Sequence, residues 1–159
     1  MNRVLAYLGR FAVIILGYAA ASLAASAFLH LVSLGALGWT AEEAPFVVMG
    51  SIVFSIPFIA LFVAYFAFIP SIVAILLSEI VAARDWLFYA LAGAAVAIVV
   101  TGFFWQAAEP GTVIAADPRT AMTMIGAGLL GGMVYWTICG RMAGSWRRRI
   151  YPEAISPER

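Results

Sequence analysis

Lysine is missing altogether; the nine basic residues are all arginine. There is one cysteine, Cys139, so the chain can form no internal disulfide, no CxxC redox centre and no cysteine-based zinc site. There is one histidine, His30, which excludes a haem held by two histidines of one chain. Charge of both signs is scarce, at 11% of 159 residues, where soluble domains carry about 25%. No convincing internal repeat is present, so a repeat-built transporter has no support here. No stretch between the apolar runs is long enough to fold alone; the longest is roughly 108–119.

What is present is apolar. Hydrophobic residues make up 65% of the chain and mean hydropathy is +1.02, where soluble domains are about 45–50% apolar. A soluble fold of this length cannot cover so much apolar surface, so the solvent implied is a bilayer. Crossing ~30 Å of hydrocarbon takes roughly 20 apolar residues as a helix. Four segments qualify, at about 11–34, 46–78, 86–107 and 119–141.

Local chemistry sets the expected ends. Asp85 and Asp117 stand where a carboxylate can accept from first-turn N–H groups, and Pro118 takes the first helical position, where no N–H is needed. Glu109-Pro110-Gly111 is a stop and turn signal. Thr40 and Glu43 have capping-box spacing, and 40–44 reads as an interfacial turn. The second segment is too long for one straight crossing, about 50 Å at 1.5 Å per residue, and kinks are expected at Pro57 and Pro70. In the first segment, Ala25-Ser26-Ala27 resembles a signal-peptide cleavage site. The apolar run continues beyond it, past the usual core length, so a retained span is expected.

Arginine placement sets the orientation. With four spans, Arg3, Arg10, Arg84, Arg141, Arg147, Arg148, Arg149 and Arg159 share one side, and only Arg119 lies on the other. The positive-inside rule places the first side, with both termini, in the cytoplasm. Trp39, Phe104 and Trp105 then fall near the outer boundary, and Trp86, Tyr89 and Trp146 near the inner one, as aromatic belts require.

Three groups of residues are candidates for function. On the first helix Tyr18, Ser22, Ser26 and His30 recur at four-residue steps and share a face. Polar groups facing lipid are costly, so this face points at other helices or a wet crevice. It is either a polar path ending at His30 or, more simply, a set of interhelical hydrogen bonds with His30 at headgroup level. Glu79 follows an uncharged run of over 30 residues. Within hydrocarbon it would hold a proton or a cation; at the interface it marks topology. Arg84, five residues on, is poorly spaced to pair with it on one helix face. The third group is Gly128 and Gly132, followed by Gly140 and Gly144, at the spacing that lets membrane helices approach closely. Arg147, Arg148 and Arg149 suit anionic lipid headgroups. Cys139 reads as a small packing residue.

The segment Gly131-Gly-Met-Val-Tyr-Trp-Thr-Ile-Cys-Gly-Arg-Met-Ala-Gly144 resembles the last span of small inner-membrane proteins of alphaproteobacteria, and Ile69-Pro-Ser-Ile-Val-Ala-Ile-Leu-Leu-Ser-Glu79 resembles their second. The resemblance extends beyond these 25 residues, over about a third of the chain. The resemblance implies a four-span protein of the bacterial inner membrane and brings no activity or site residues with it.

The expectation is therefore an all-α bundle of four transmembrane helices, N-in and C-in, over 1–146, with a basic cytoplasmic tail at 147–159. It is expected to be non-enzymatic, without metal or cofactor and with no nucleic-acid partner. It would act as an accessory or scaffold subunit docked on a larger membrane protein or on itself. The alternative is a small transporter or channel using the Tyr18–His30 face or Glu79. Orientation is testable by reporter fusion. Alkaline phosphatase inserted at 108–119 should be active and the same enzyme after residue 159 inactive; the reverse pattern inverts the topology.

Overall fold

The computed structural model describes residues 2–38, 45–107 and 117–143. They form four α-helices, α1 (Asn2–Ala36), α2 (Pro45–Val81), α3 (Trp86–Ala107) and α4 (Pro118–Ile138). A short 3-10 turn, Gly140–Met142, follows α4. All four helices are long and apolar enough to cross a membrane, so the protein is an all-α, multi-pass membrane bundle. The capping box at 40–43, the Glu109-Pro110-Gly111 turn, Trp39, Gly144, Trp146 and the 147–159 tail lie outside the described residues.

Helix ends depart from the sequence expectation where hydropathy and helicity part company. α1 starts at Asn2 rather than near 11, because an arginine that stops the apolar run does not stop a helix; Arg is itself a good helix former. Pro45 is the first residue of α2 rather than the one before it, and the helix runs unbroken through Pro57 and Pro70 to Val81, beyond the expected 78. Its end is a Schellman turn. Ala82 has φ 55° and Ala83 N–H donates to Ser78 O at 3.0 Å, the 6→1 bond of that motif. Alanine here takes a backbone conformation usually left to glycine, at a cost of about 1–2 kcal/mol. Asp85 Oδ1 accepts from Leu87 N–H at 3.3 Å, and Asp117 Oδ1 accepts from Arg119 N–H at 3.3 Å ahead of Pro118. α4 ends at Ile138, short of 141, and Gly140 begins the tighter 3-10 turn packed against the rings of Tyr89 and Trp136.

The principal contacts run α1 to α2, α2 to α3, α3 to α4 and α4 to α1, which closes a ring. The ring is uneven. α4 lies tightly against α3 and α1, whereas α2 touches α3 least of all. Small residues explain the tight side. A Cβ on Gly93 or Gly128 would strike the other's carbonyl, and one on Gly132 would strike the carbonyl of Tyr89. Across α1, a Cβ on Gly131 would sit 3.2 Å from Ala21 O. Lipid tails are as apolar as leucine, so hydrophobicity does not hold such helices together; close packing does.

Substituting Gly132→Leu should therefore separate α3 from α4 and lower stability by about 1–3 kcal/mol, the usual range for overpacking. Gly102→Leu on α3, where an added Cβ meets open space, should change little. Thermal unfolding of both variants in one detergent checks this; equal loss in the two would contradict it.

Candidate functional site

The polar groups of the bundle gather at the end that carries Arg10. Arg10 Nη2 donates to Glu79 Oε1, joining α1 to α2 across 69 positions of sequence. The side chains are 21% and 20% exposed, so the pair is largely shielded without being sealed. Arg10 Nε and Nη1 are buried with no hydrogen-bond partner among the described residues. Glu79 is positioned by the Schellman turn that ends α2. Beside it Ser78 is buried and donates to Ile75 O at 2.7 Å.

One helical turn inward lies a packed layer of Tyr89, Tyr135 and Cys139. The two tyrosine rings are 5.7 Å apart between centroids. Cys139 is 1% exposed, and its Sγ donates to Val13 O at 3.0 Å, a weak bond that ties α4 to α1. Gly17 makes room for this layer; a side chain there would run into Cys139 and Tyr135.

The loop after α2 is fastened to the same region. Tyr89 donates to Ala83 O at 3.1 Å and Trp136 Nε1 to Arg84 O at 2.8 Å. Arg84 Nε donates to Ala143 O at 3.1 Å, and the Arg141 guanidinium lies 4.6 Å from the Trp136 ring centroid. α2, α3, α4 and the chain after α4 thus converge around the Arg10–Glu79 pair.

The polar face of α1 continues from there toward the other end. Tyr18 donates to Ala64 O at 2.6 Å and Ser26 to Ile56 O at 2.6 Å, both on α2. Ser22 bonds within its own helix, to Tyr18 O at 3.0 Å. Ser22, Ser26 and His30 are buried. Tyr18 and Ser26, singled out on this face, therefore reach across to α2 backbone. Glu79 is brought to Arg10, two four-residue steps before Tyr18 on α1. Of the packing glycines, Gly128 and Gly132 face α3 and Gly140 meets Tyr89 and Trp136.

Sequence reasoning missed Arg10 as a partner, along with the Tyr89–Tyr135–Cys139 layer. One signal was available for the pair: Arg10 and Glu79 both flank long uncharged runs, on neighbouring antiparallel spans, at the same membrane face.

Inward of the aromatic layer, a cavity of ≈ 520 Å³ lies between all four helices, lined by Tyr18, Ser22, Ser71, Tyr89 and Tyr135 among otherwise apolar side chains. Among the described residues no three His, Cys, Asp or Glu side chains converge to form a metal site.

No family model, curated protein or solved structure matches this chain.

Losing either member of the ion pair should destabilise the α1–α2 contact. Exposed pairs contribute about 0–1 kcal/mol and breaking sealed ones costs about 3–5, so this one should lie between, at roughly 1–3 kcal/mol. Arg10→Ala and Glu79→Ala should each show that loss in detergent unfolding. The swap Arg10→Glu with Glu79→Arg should recover part of it; a swap no better than the sum of its parts would contradict the pairing.

Proposed function

We propose that this chain is a non-enzymatic accessory or scaffold subunit of a bacterial inner-membrane assembly, with both termini in the cytoplasm. The observation that carries the reading is the exposure of α2. Only 6% of the most apolar stretch of α2 is buried by the rest of the chain, against 17–22% for the other three helices. Phe46, Met49, Val53, Phe54 and Phe58 stand out from its first half, each more than half exposed. Large side chains on one helix offer area for packing against a second membrane protein, and packing is what drives association between spans.

The polar groups support the same reading over a transport path. Tyr18 and Ser26 are occupied in holding α2 to α1, and Glu79 is bonded to Arg10. These are the residues a proton or ion path would need free. The arginines at this end, with Arg147, Arg148 and Arg149 beyond the described residues, suit contact with anionic headgroups, at about 1 kcal/mol for each charge near the surface.

Site-specific photo-crosslinking tests the reading. A benzophenone amino acid at Phe54 or Phe58, expressed at native level, should give one discrete protein adduct, and Leu16 on α1 should give none. Native mass spectrometry from mild detergent should show the same partner, or a second copy, in fixed stoichiometry. Lipid adducts alone at Phe54 and Phe58, together with a lone monomer in the spectrometer, would overturn it.

A further inference from the structure

The central cavity has the size and chemistry of a binding site. Its ≈ 520 Å³ falls within the roughly 300–1,000 Å³ usual for small-molecule pockets. Water is a poor occupant. At about 30 Å³ per molecule, filling it would take on the order of fifteen waters, each needing two to four polar partners. The walls offer only five side-chain hydroxyls, and none of the lining side chains is charged. Apolar cavities of this kind take up apolar molecules, and in a membrane such molecules are dissolved all around the protein.

There is a route in. A groove of ≈ 1440 Å³ runs between α2 and α3, the pair of helices least in contact around the ring. Its walls include Leu61, Tyr65, Ile69, Leu91 and Phe103, which are exposed apolar residues within the spans and so face lipid. Groove and cavity share Tyr18, Ala74, Val96 and Phe104 as walls, so one leads into the other. Phe66 on α2 and Phe104 on α3 line both spaces and meet across the gap with ring centroids 4.9 Å apart. A pair of aromatic rings braces this opening, and rings can rotate aside without breaking a hydrogen bond.

The walls narrow the ligand further. Tyr18, Ser22 and Tyr89 already give their hydrogens to Ala64 O, Tyr18 O and Ala83 O. These bonds turn the hydroxyls into the surrounding backbone, and the surface left to a ligand is almost wholly carbon. A carboxylate or phosphate head would find no cation on these walls. An uncharged apolar chain needs none.

We propose that the cavity binds an uncharged lipophile, such as a long alkyl or isoprenoid chain, admitted sideways from the bilayer between α2 and α3. The proposal is independent of the subunit reading, since a ligand-loaded chain without a protein partner would satisfy it.

The test is photolabelling with a diazirine-bearing hexadecanol, using the full chain in phosphatidylcholine nanodiscs. Labelled peptides should contain Ala74, Val96 or Ala127, and excess unlabelled hexadecanol should abolish that labelling while palmitate at pH 8 should not. Ala74→Trp and Val96→Trp, which plug the shared neck, should reduce cavity labelling about tenfold or more, a loss of ~1.4 kcal/mol or more in binding. Ile98→Trp, on the lipid face away from both spaces, should leave it unchanged. Should the plugged variants fail to fold, saturability in the native chain decides. Labelling that does not saturate means bulk acyl chains occupy the space, and overturns the proposal. So does equal competition by palmitate, or undiminished labelling in folded plugged variants.

Discussion

An arginine and a glutamate meet where water is scarce, and the position of α2 depends on that meeting. In a bilayer, helices gain nothing by hiding apolar surface from one another. Charges there are costly and pair with one another. Arg10 and Glu79 thus supply a directional force between α1 and α2 that their apolar side chains do not. Two backbone carbonyls of α2 extend the connection, Ala64 accepting from Tyr18 and Ile56 from Ser26. Numbers rise along α1 as they fall along α2, so the three contacts describe one antiparallel register at three depths.

The cavity is a consequence of unequal spacing around the ring. α4 approaches α3 and α1 through glycine and alanine, to distances no other side chain permits. α2 carries Phe62, Phe66 and Tyr65 and is held by polar contacts along one flank, toward α1. Facing α3 it is braced by Phe66 against Phe104. A ring with two close edges and one loose one leaves space on the loose side, and the space opens where contact is weakest. The aromatic layer of Tyr89 and Tyr135, with Cys139 beneath Gly17, closes the floor toward Arg10. One set of packing choices therefore produces the tight core, the cavity and its lateral opening.

Much of the fold could be read in advance because the bilayer imposes a length on apolar segments. Four runs gave four helices, and Asp85, Asp117 and Pro118 start helices for local reasons that need no tertiary knowledge. Helix ends set by the boundary of the apolar run were less legible. Arg10 ends the run without ending the helix, and α2 continues to a Schellman turn on an alanine, where sequence habit looks for glycine. The candidate site was legible by residue and not by partner. The face of Tyr18 and Ser26 follows from spacing alone, and Glu79 stands out as an acid after a long uncharged run. Its pairing with Arg10 depends on which spans become neighbours, and spacing within one helix carries no such information. The cavity was not legible at all, since it arises from differences in helix separation set by many side chains together.

The central claim is that α1 and α2 lie antiparallel with positions 10 and 79 adjacent at one end of a four-helix ring, a register that the Tyr18 and Ser26 bonds to α2 retain when the two charges are replaced. Cysteine crosslinking in native membranes tests it most directly. Arg10→Cys and Glu79→Cys would be combined in a Cys139→Ala background and treated with a short bis-methanethiosulfonate reagent, with Arg10→Cys and Asp117→Cys as the control pair. Digestion between α1 and α2 should leave the two fragments joined for the 10–79 pair, while the control pair, at opposite ends of the bundle, stays unlinked. Separated fragments for the 10–79 pair, with both thiols shown to be reactive, would contradict the account.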